Sequence, residues 1–224
     1  MMVSGLSNKV NYNDKVSNIK VERIKKLFKL EIKAVVRDKN GKIIKIHKQE
    51  MRSLTQNFLA FMSIPLLWTF QGQSTNEATQ ILQTYLGLPS NQSTYSGNGA
   101  MILIDYSIQV GSGTQSFSPT LTSLDAPISN GTGTGELNYN TLSISYSSGG
   151  YTYVQVVSNS TLETINVSEI GLVGIIHLVY VNSYNAEQID KYKALLSYDV
   201  LTTAISIPPG GSATFEIKIS FTGW

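Results

Sequence analysis

Near one end of the chain, apolar residues alternate with mostly charged ones. Phe28, Leu30, Ile32, Ala34 and Val36 occupy every second position, which predicts a strand with one buried face. Asp38-Lys39-Asn40-Gly41 follows, and Asn-Gly is a strong hairpin signal because both residues accept a positive φ. The pattern therefore predicts a β-hairpin whose return strand covers 42–48.

The other end of the chain shows the same alternation. Pro208-Pro209-Gly210-Gly211 is a turn signal, and Phe215, Ile217, Ile219 and Phe221 then share one face of a final strand. Short β-prone runs separated by turn residues predict further strands at 101–110, 115–122, 136–147, 151–158, 161–167, 171–181 and 195–207. The spacing is typical of a sandwich, barrel or jelly roll.

Helical spacing is confined to the segment between the hairpin and these strands. Ser53-Leu-Thr-Gln56 is a capping box followed by Phe58, Phe61 and Met62, which predicts a helix over 54–64, ended or kinked at Pro65. A second capping box begins at Ser74 and predicts a helix that stops near Gly87. We expect a mainly β, jelly-roll-like sandwich with a basic N-terminal arm at 1–26.

The predicted organisation has three parts. Residues 1–52 form the basic arm and hairpin, 53–89 form short helices packed on the sandwich, and 90–224 complete it, with 28–224 as one structural domain. The N-terminus lacks the apolar core of a signal peptide, and no apolar run reaches the roughly 20 residues that a spanning helix needs. We therefore expect neither classical export nor a membrane span.

Charge is divided very unevenly along the 224 residues. Residues 1–52 hold 14 of the 17 Lys and Arg and 5 of the 15 carboxylates, a balance of +9, whereas 53–224 carry −7. Such asymmetry favours contact with an acidic partner, nucleic acid or membrane; a solvated basic hairpin is the alternative. The candidate contact residues are Lys25, Lys26, Lys29, Lys33, Arg37, Lys42, Lys45, Lys48 and Arg52.

Catalytic chemistry has little support in the sequence. There is no cysteine, and only two histidines occur, His47 in the return strand, expected exposed, and His177 in an apolar strand, expected structural. No nucleophile elbow or metal-ligand spacing occurs. Two of the scattered carboxylates could meet as a glycosidase pair, but the sequence does not select which two. We expect no enzyme activity, no metal and no cofactor.

Four Asn-x-Ser/Thr sequons are candidate N-glycosylation sites, at Asn91, Asn130, Asn159 and Asn166. Several such sequons are expected by chance in a chain this rich in Asn, Ser and Thr. They matter only where the folded domain meets a glycosylation machinery.

Two groups of segments in the sequence are similar to those of a known class of proteins. The first runs Val35-Val-Arg-Asp-Lys-Asn-Gly-Lys-Ile-Ile and then Arg52-Ser-Leu-Thr-Gln-Asn-Phe-Leu. The second runs Ile165-Asn-Val-Ser-Glu-Ile-Gly-Leu, then Leu195-Leu-Ser-Tyr-Asp-Val-Leu, then Ile205-Ser-Ile-Pro-Pro-Gly-Gly-Ser-Ala-Thr-Phe-Glu-Ile-Lys-Ile-Ser-Phe. Together they resemble structural proteins of viruses of thermophilic archaea or bacteria, in which a hairpin and helix precede a sandwich or jelly roll.

The resemblance implies a virion structural protein that assembles with itself and with other virion proteins as part of a capsid, a vertex turret, a decoration or a tail. Nucleic acid is the less favoured partner, and contact with a host surface is compatible with this role. Two structural expectations accompany the resemblance, namely a strand corner at Glu169 and an ordered segment that ends at Asp199. The arm, the hairpin and the helix over 54–64 are expected to carry self-association, so that deleting 1–52 should leave a soluble β domain. A cell-surface or glycan-binding β-sandwich, such as an adhesin or fibre module, is the alternative.

Overall fold

The computed structural model describes residues 28–51, 53–58, 101–181 and 187–221, with the backbone alone for the strand residues 101–104, 176–181 and 187–192. These residues form nine strands. The strands are β1 (Phe28–Arg37), β2 (Ile43–Met51), β3 (Met101–Gly111), β4 (Asn138–Tyr139), β5 (Ser143–Ser147), β6 (Gly150–Ser158), β7 (Ile165–Val181), β8 (Glu187–Ile207) and β9 (Ser212–Phe221).

The strands make two antiparallel sheets. Sheet A has the order β2-β1-β9-β6, and the short strands β4 and β5 both pair with the far side of β6. Sheet B has the order β3-β7-β8. The mainly β, sandwich-like prediction is therefore confirmed, while the jelly-roll connectivity stays a prediction.

The core lies between the inner faces of the two sheets. On sheet A, each buried residue of β1 has a buried β9 residue as its register partner, as in Ile32 with Ile217 and Ala34 with Phe215. Sheet B contributes buried aliphatic residues to the same cluster, namely Ile108, Val110, Val167, Ile170, Leu172, Ile205 and Ile207. The alternation found in the sequence thus produces one continuous apolar layer.

The predicted hairpin forms as β1 and β2. Gly41 has a φ of 80°, and the Asp38 carboxylate accepts hydrogen bonds from the backbone N–H groups of Asn40 and Lys42 at 2.9 and 3.0 Å. These local contacts fix the turn. The return strand runs to Met51, three residues beyond its predicted end.

The predicted strand over 115–122 is wrong. This stretch belongs to an irregular segment that lies on the outer face of sheet B. Phe117, Leu121 and Leu124 pack there against Val173 and Leu195. Its apolar residues cover a face of the sheet, but its backbone does not form a strand of that sheet. Periodicity alone does not distinguish these two cases.

Further boundaries also differ from prediction. The two strands expected at 161–167 and 171–181 are one strand, β7, with a register shift between Val167 and Glu169 in place of a corner. Asp199 does not end an ordered segment, because it lies inside β8. The strand expected at 136–147 is divided into β4 and β5. A bulge lets a long strand bend without ending, which explains the first difference.

Of the predicted helix over 54–64, the described part is helical at residues 56–58. The chain just before it extends sheet B, since Leu54 forms a bridge with Ser197. The buried Phe58 ring packs edge-on against Phe28, with centroids 5.9 Å apart. The arm at 1–26 and the second predicted helix lie outside the described residues.

Candidate assembly surface

The predicted contact residues divide between different surfaces. Because β1 buries its even-numbered residues from Leu30 to Val36, its odd-numbered side chains lie on the outer face of sheet A. The register places Lys48 of β2 opposite Lys33 on that face. The cations that the structure brings together there are Lys29, Lys33, Arg37 and Lys48.

The other predicted cations are placed elsewhere. Lys42 is exposed beside the hairpin turn. Lys45 pairs in register with the buried Val36, so it lies toward the inner side, where its Nζ donates to the Ala204 carbonyl at 2.7 Å. Lys25, Lys26 and Arg52 lie outside the described residues. The nine cations therefore do not form one uniform basic patch.

Neighbouring carboxylates partly neutralise the outer-face cations. Lys33 lies 3.4 Å from Glu216 on β9, and Lys29 lies 3.2 Å from Glu31 on its own strand. The Arg37 guanidinium donates to the Thr214 hydroxyl at 3.0 Å. Exposed pairs of this kind contribute roughly 0–1 kcal/mol each to stability. The outer face of sheet A therefore carries charges of both signs and is not strongly positive.

Strand β2 forms an open edge of sheet A. In the described part of the chain, its backbone hydrogen bonds are made with β1 alone. Ile43, Ile44 and Ile46 are exposed on it by 49%, 51% and 56%. An edge with unpaired backbone groups and apolar side chains is a ready site for another strand. We call Ile43, Ile44 and Ile46, with the backbone of β2, the β2 edge.

Sequence reasoning concentrated on charge and missed these isoleucines. The signal was present, because Ile43-Ile44 breaks the alternation of the return strand and Ile46 falls on the face opposite to buried His47. His47 itself was expected to be exposed, and that expectation is wrong. Its register partner is Ala34, at the core side of β1, and its Nε2 lies 3.2 Å from Gln49 Oε1.

On the inner side of the β2 edge, polar side chains of β2 join the two sheets; we call these contacts of Gln49 and Lys45 the polar seam. Gln49 donates through Nε2 to Asp199 at 3.1 Å and to the Val200 carbonyl at 3.0 Å, and its Oε1 accepts from the Thr202 N–H at 2.8 Å. These bonds, with that of Lys45, join β2 to β8 across the inner side. They hold the edge strand in place through side chains and leave its outward backbone groups unused.

At the opposite side of the sandwich, Gln155 on β6 joins the two sheets in a second polar seam. Its Oε1 accepts from the backbone N–H of Ile108 at 2.6 Å, and its Nε2 donates to the Asn140 carbonyl at 2.8 Å. The Tyr139 hydroxyl donates to the Ile128 carbonyl at 3.0 Å. Burial raises the pKa of Tyr139 to about 12, although its hydrogen bond to the Val110 backbone acts in the opposite direction.

A cleft of about 460 Å³ opens beside this second seam. Polar groups from Gln109, Ser129, Asn130 and Lys193 line it, over apolar residues that include Ile175. Amides and hydroxyls above an apolar floor suit a small polar ligand with both hydroxyl and C–H surfaces. The cleft was not predicted, because its residues come from five separate parts of the chain.

Glu169 is the carboxylate at which the sequence predicted a strand corner, and its side chain has a different role. It is fully buried, and it accepts backbone N–H bonds from Gly113 at 3.1 Å, Asp125 at 3.0 Å and Ala126 at 2.7 Å. Nearby Tyr198 is also buried, and this burial, together with the charge of Glu169, raises the pKa of its hydroxyl. Glu169 therefore anchors the irregular segment to sheet B.

The sequons differ in accessibility. Asn130 and Asn166 are exposed, although Asn130 Oδ1 accepts from the Tyr139 N–H. Asn159 is buried, and its Nδ2 donates to the carbonyls of Glu163 at 2.7 Å and Ile207 at 2.9 Å. The folded chain therefore uses both amide protons of Asn159 internally. Asn91 lies outside the described residues.

Among the residues that the structure covers, no group of three or more His, Asp or Glu side chains has the arrangement of a metal site. No helix in those same residues is long and apolar enough to span a membrane. Comparison with protein-family models, with curated proteins and with solved structures finds no match to this chain.

Proposed function

We propose that this chain is a virion structural protein that assembles through its own folded domain. The observation that carries the assembly proposal is the β2 edge, where a strand paired only with β1 among the described residues presents three isoleucines that are about half exposed. Natural monomers blunt such edges with charge, bulges or a covering segment. Strand β2 carries Lys45, Lys48 and Glu50 and a register irregularity at Ile44. Its three exposed isoleucines nevertheless support pairing with a further strand.

The virion part of the proposal rests on a different observation. The hairpin, Ile165-Asn-Val-Ser and Pro208-Pro-Gly-Gly segments resemble virion proteins, and these segments form β1, β2, the start of β7 and the turn before β9.

The contact residues belong to two surfaces. Lys29, Lys33, Arg37 and Lys48 present cations on the outer face of sheet A, and Lys42 adds a charge at the hairpin turn.

The charges of the described hairpin support a neighbouring subunit as the partner more than nucleic acid. Residues 28–51 hold seven Lys and Arg and three carboxylates, and two of the outer-face lysines already have carboxylate neighbours. Nucleic-acid surfaces neutralise several phosphates with unpaired cations. A mixed face instead suits a protein surface of complementary sign.

Two measurements test the proposal. Immunogold labelling of purified particles should place the chain on the virion, and light scattering of the isolated 24.5 kDa chain should give a mass of two or more subunits. Particles free of the chain would contradict the virion role. A strictly monomeric chain at high concentration, with no uptake into particles, would contradict assembly.

A glycan-binding module is the second candidate, and the cleft beside Gln109 and Asn130 favours it. Amide and hydroxyl groups recognise sugar hydroxyls, and Lys193 would favour an acidic sugar. Titration of the full chain with lactose and with sialyllactose tests this function. Saturable binding that is lost in Gln109→Ala but kept in the exposed control Thr203→Ala would support it, and no binding of either sugar would count against it.

A further inference from the structure

We propose that the partner of the β2 edge is the β2 edge of a second copy of this chain, paired antiparallel about a two-fold axis at Ile46. This inference rests on the proposed function and names the contact through which assembly occurs. An isologous pair of this kind needs a strand that complements itself when its direction is reversed. In one register, β2 combines contact between exposed isoleucines with pairing of opposite charges.

The register follows from the charges along the strand. A two-fold axis at Ile46 places Lys48 opposite Ile44 of the second copy and Glu50 opposite Lys42. Glu50 and Lys42 are both exposed, and Lys42 lies one residue before the strand begins, within reach of its long side chain. The axis repeats every contact, so the interface gains two Glu–Lys pairs around a central isoleucine pair.

Neighbouring registers fit less well. An axis at Lys45 or at Lys48 sets two lysines directly opposite one another, and like charges in that position are destabilising. An axis at His47 places Glu50 opposite Ile44 and forms no ion pair. An axis at Gln49 pairs Lys48 with Glu50, but it sets none of the exposed isoleucines opposite another. Ile46 is therefore the centre that combines apolar contact with opposite charges.

The residues that the structure describes leave room for this pairing. Gln49 and Lys45 hold β2 to β8 on the inner side, whereas Ile46 is 56% exposed on the outer face. Among the described residues, the backbone groups of β2 that point away from β1 have no hydrogen-bond partner. Pairing would join two copies of sheet A into one continuous sheet through main-chain bonds.

Introduced thiols test the register directly, because the natural chain has no cysteine. Ile46→Cys should give a covalent dimer under mild oxidation. A mixture of Lys42→Cys and Glu50→Cys chains should cross-link with a short bismaleimide far more than either chain alone. Ile144→Cys is the matched control, since Ile144 is 49% exposed on β5 at the opposite edge of sheet A.

Charge exchange gives a second readout that does not depend on cross-linking. Glu50→Lys should raise the dissociation constant of the dimer roughly ten-fold, since two attractive pairs become repulsive. Adding Lys42→Glu to the same chain should return the dissociation constant to that of the natural chain.

The outcomes separate the two proposals. Multisubunit assembly with no cross-link at position 46, or with Lys42→Cys linking only to itself, would overturn the antiparallel contact and leave assembly standing. Assembly that appears only when an acidic protein partner is added would also overturn it. A chain that stays monomeric and is absent from particles would overturn the proposed function as well.

Discussion

At the scale of single residues, the structure depends on a few buried polar side chains that hold irregular segments. Glu169 is the clearest, because its two oxygens accept three backbone N–H bonds from the segment that covers sheet B. Glu169→Gln replaces an acceptor with a donor and should lower the free energy of unfolding by about 3 kcal/mol. Urea unfolding measures this, with the exposed Glu163→Gln as control. Equal stability of the two variants would show that Glu169 is not an anchor.

Tyr139 provides a pH-dependent test at the same scale. Burial raises its pKa to about 12 from 10.0, so the folded state holds the proton more tightly. Its contribution to stability is complete below pH 10 and is lost as the pH rises toward 12. Tyr139→Phe should therefore make stability fall less steeply over this range, measured by urea unfolding at about pH 9 and about pH 11. An unchanged slope would contradict the assignment.

These residue roles show where sequence reasoning reached its limit. The Asn40-Gly41 turn was predictable because its hydrogen bonds join residues two to four positions apart. Glu169 was not, because its donors are backbone groups that any sequence supplies, at positions 43 to 56 residues away. Asn159 matches a sequon locally, yet its burial is decided by Ile207, 48 residues further along the chain.

At the scale of elements, β1 belongs to the sandwich and not to a separable hairpin. It lies between β2 and β9, and Leu30, Ile32, Ala34 and Val36 are all buried. The expectation that deleting 1–52 leaves a soluble β domain therefore does not fit this core. We now expect that deletion to abolish cooperative thermal unfolding, whereas deletion of 1–27 should preserve it. Cooperative unfolding of the shorter chain lacking 1–52 would contradict this account.

The seam at Gln155 gives a second prediction for elements. Gln155→Ala leaves the buried N–H of Ile108 without its 2.6 Å acceptor and frees the edge of β3. We expect a loss of about 2 kcal/mol in the free energy of unfolding. Chemical denaturation measures it, with Gln109→Ala on the neighbouring cleft wall as the control. If Gln155→Ala were no less stable than Gln109→Ala, the seam would have no structural role.

At the scale of the whole molecule, alternation and turn residues were sufficient to predict two sheets, since each of those signals is local. They did not predict the order β2-β1-β9-β6, which pairs strands from opposite ends of the chain. The same order decides that β2 is an edge and that its isoleucines are exposed. Charge counting predicted a contact region within residues 1–52, which include the hairpin, and the fold shows that β2 is the strand of the hairpin with an unpaired side.

The most direct test of assembly through the β2 edge is the mass of the full chain in solution. Multi-angle light scattering should give a multiple of 24.5 kDa for the natural chain and for Ile144→Lys. Ile46→Lys should give a smaller species, because it places cations face to face at the centre of the proposed pair while leaving the core untouched. The account would be contradicted if Ile46→Lys assembled as fully as the natural chain.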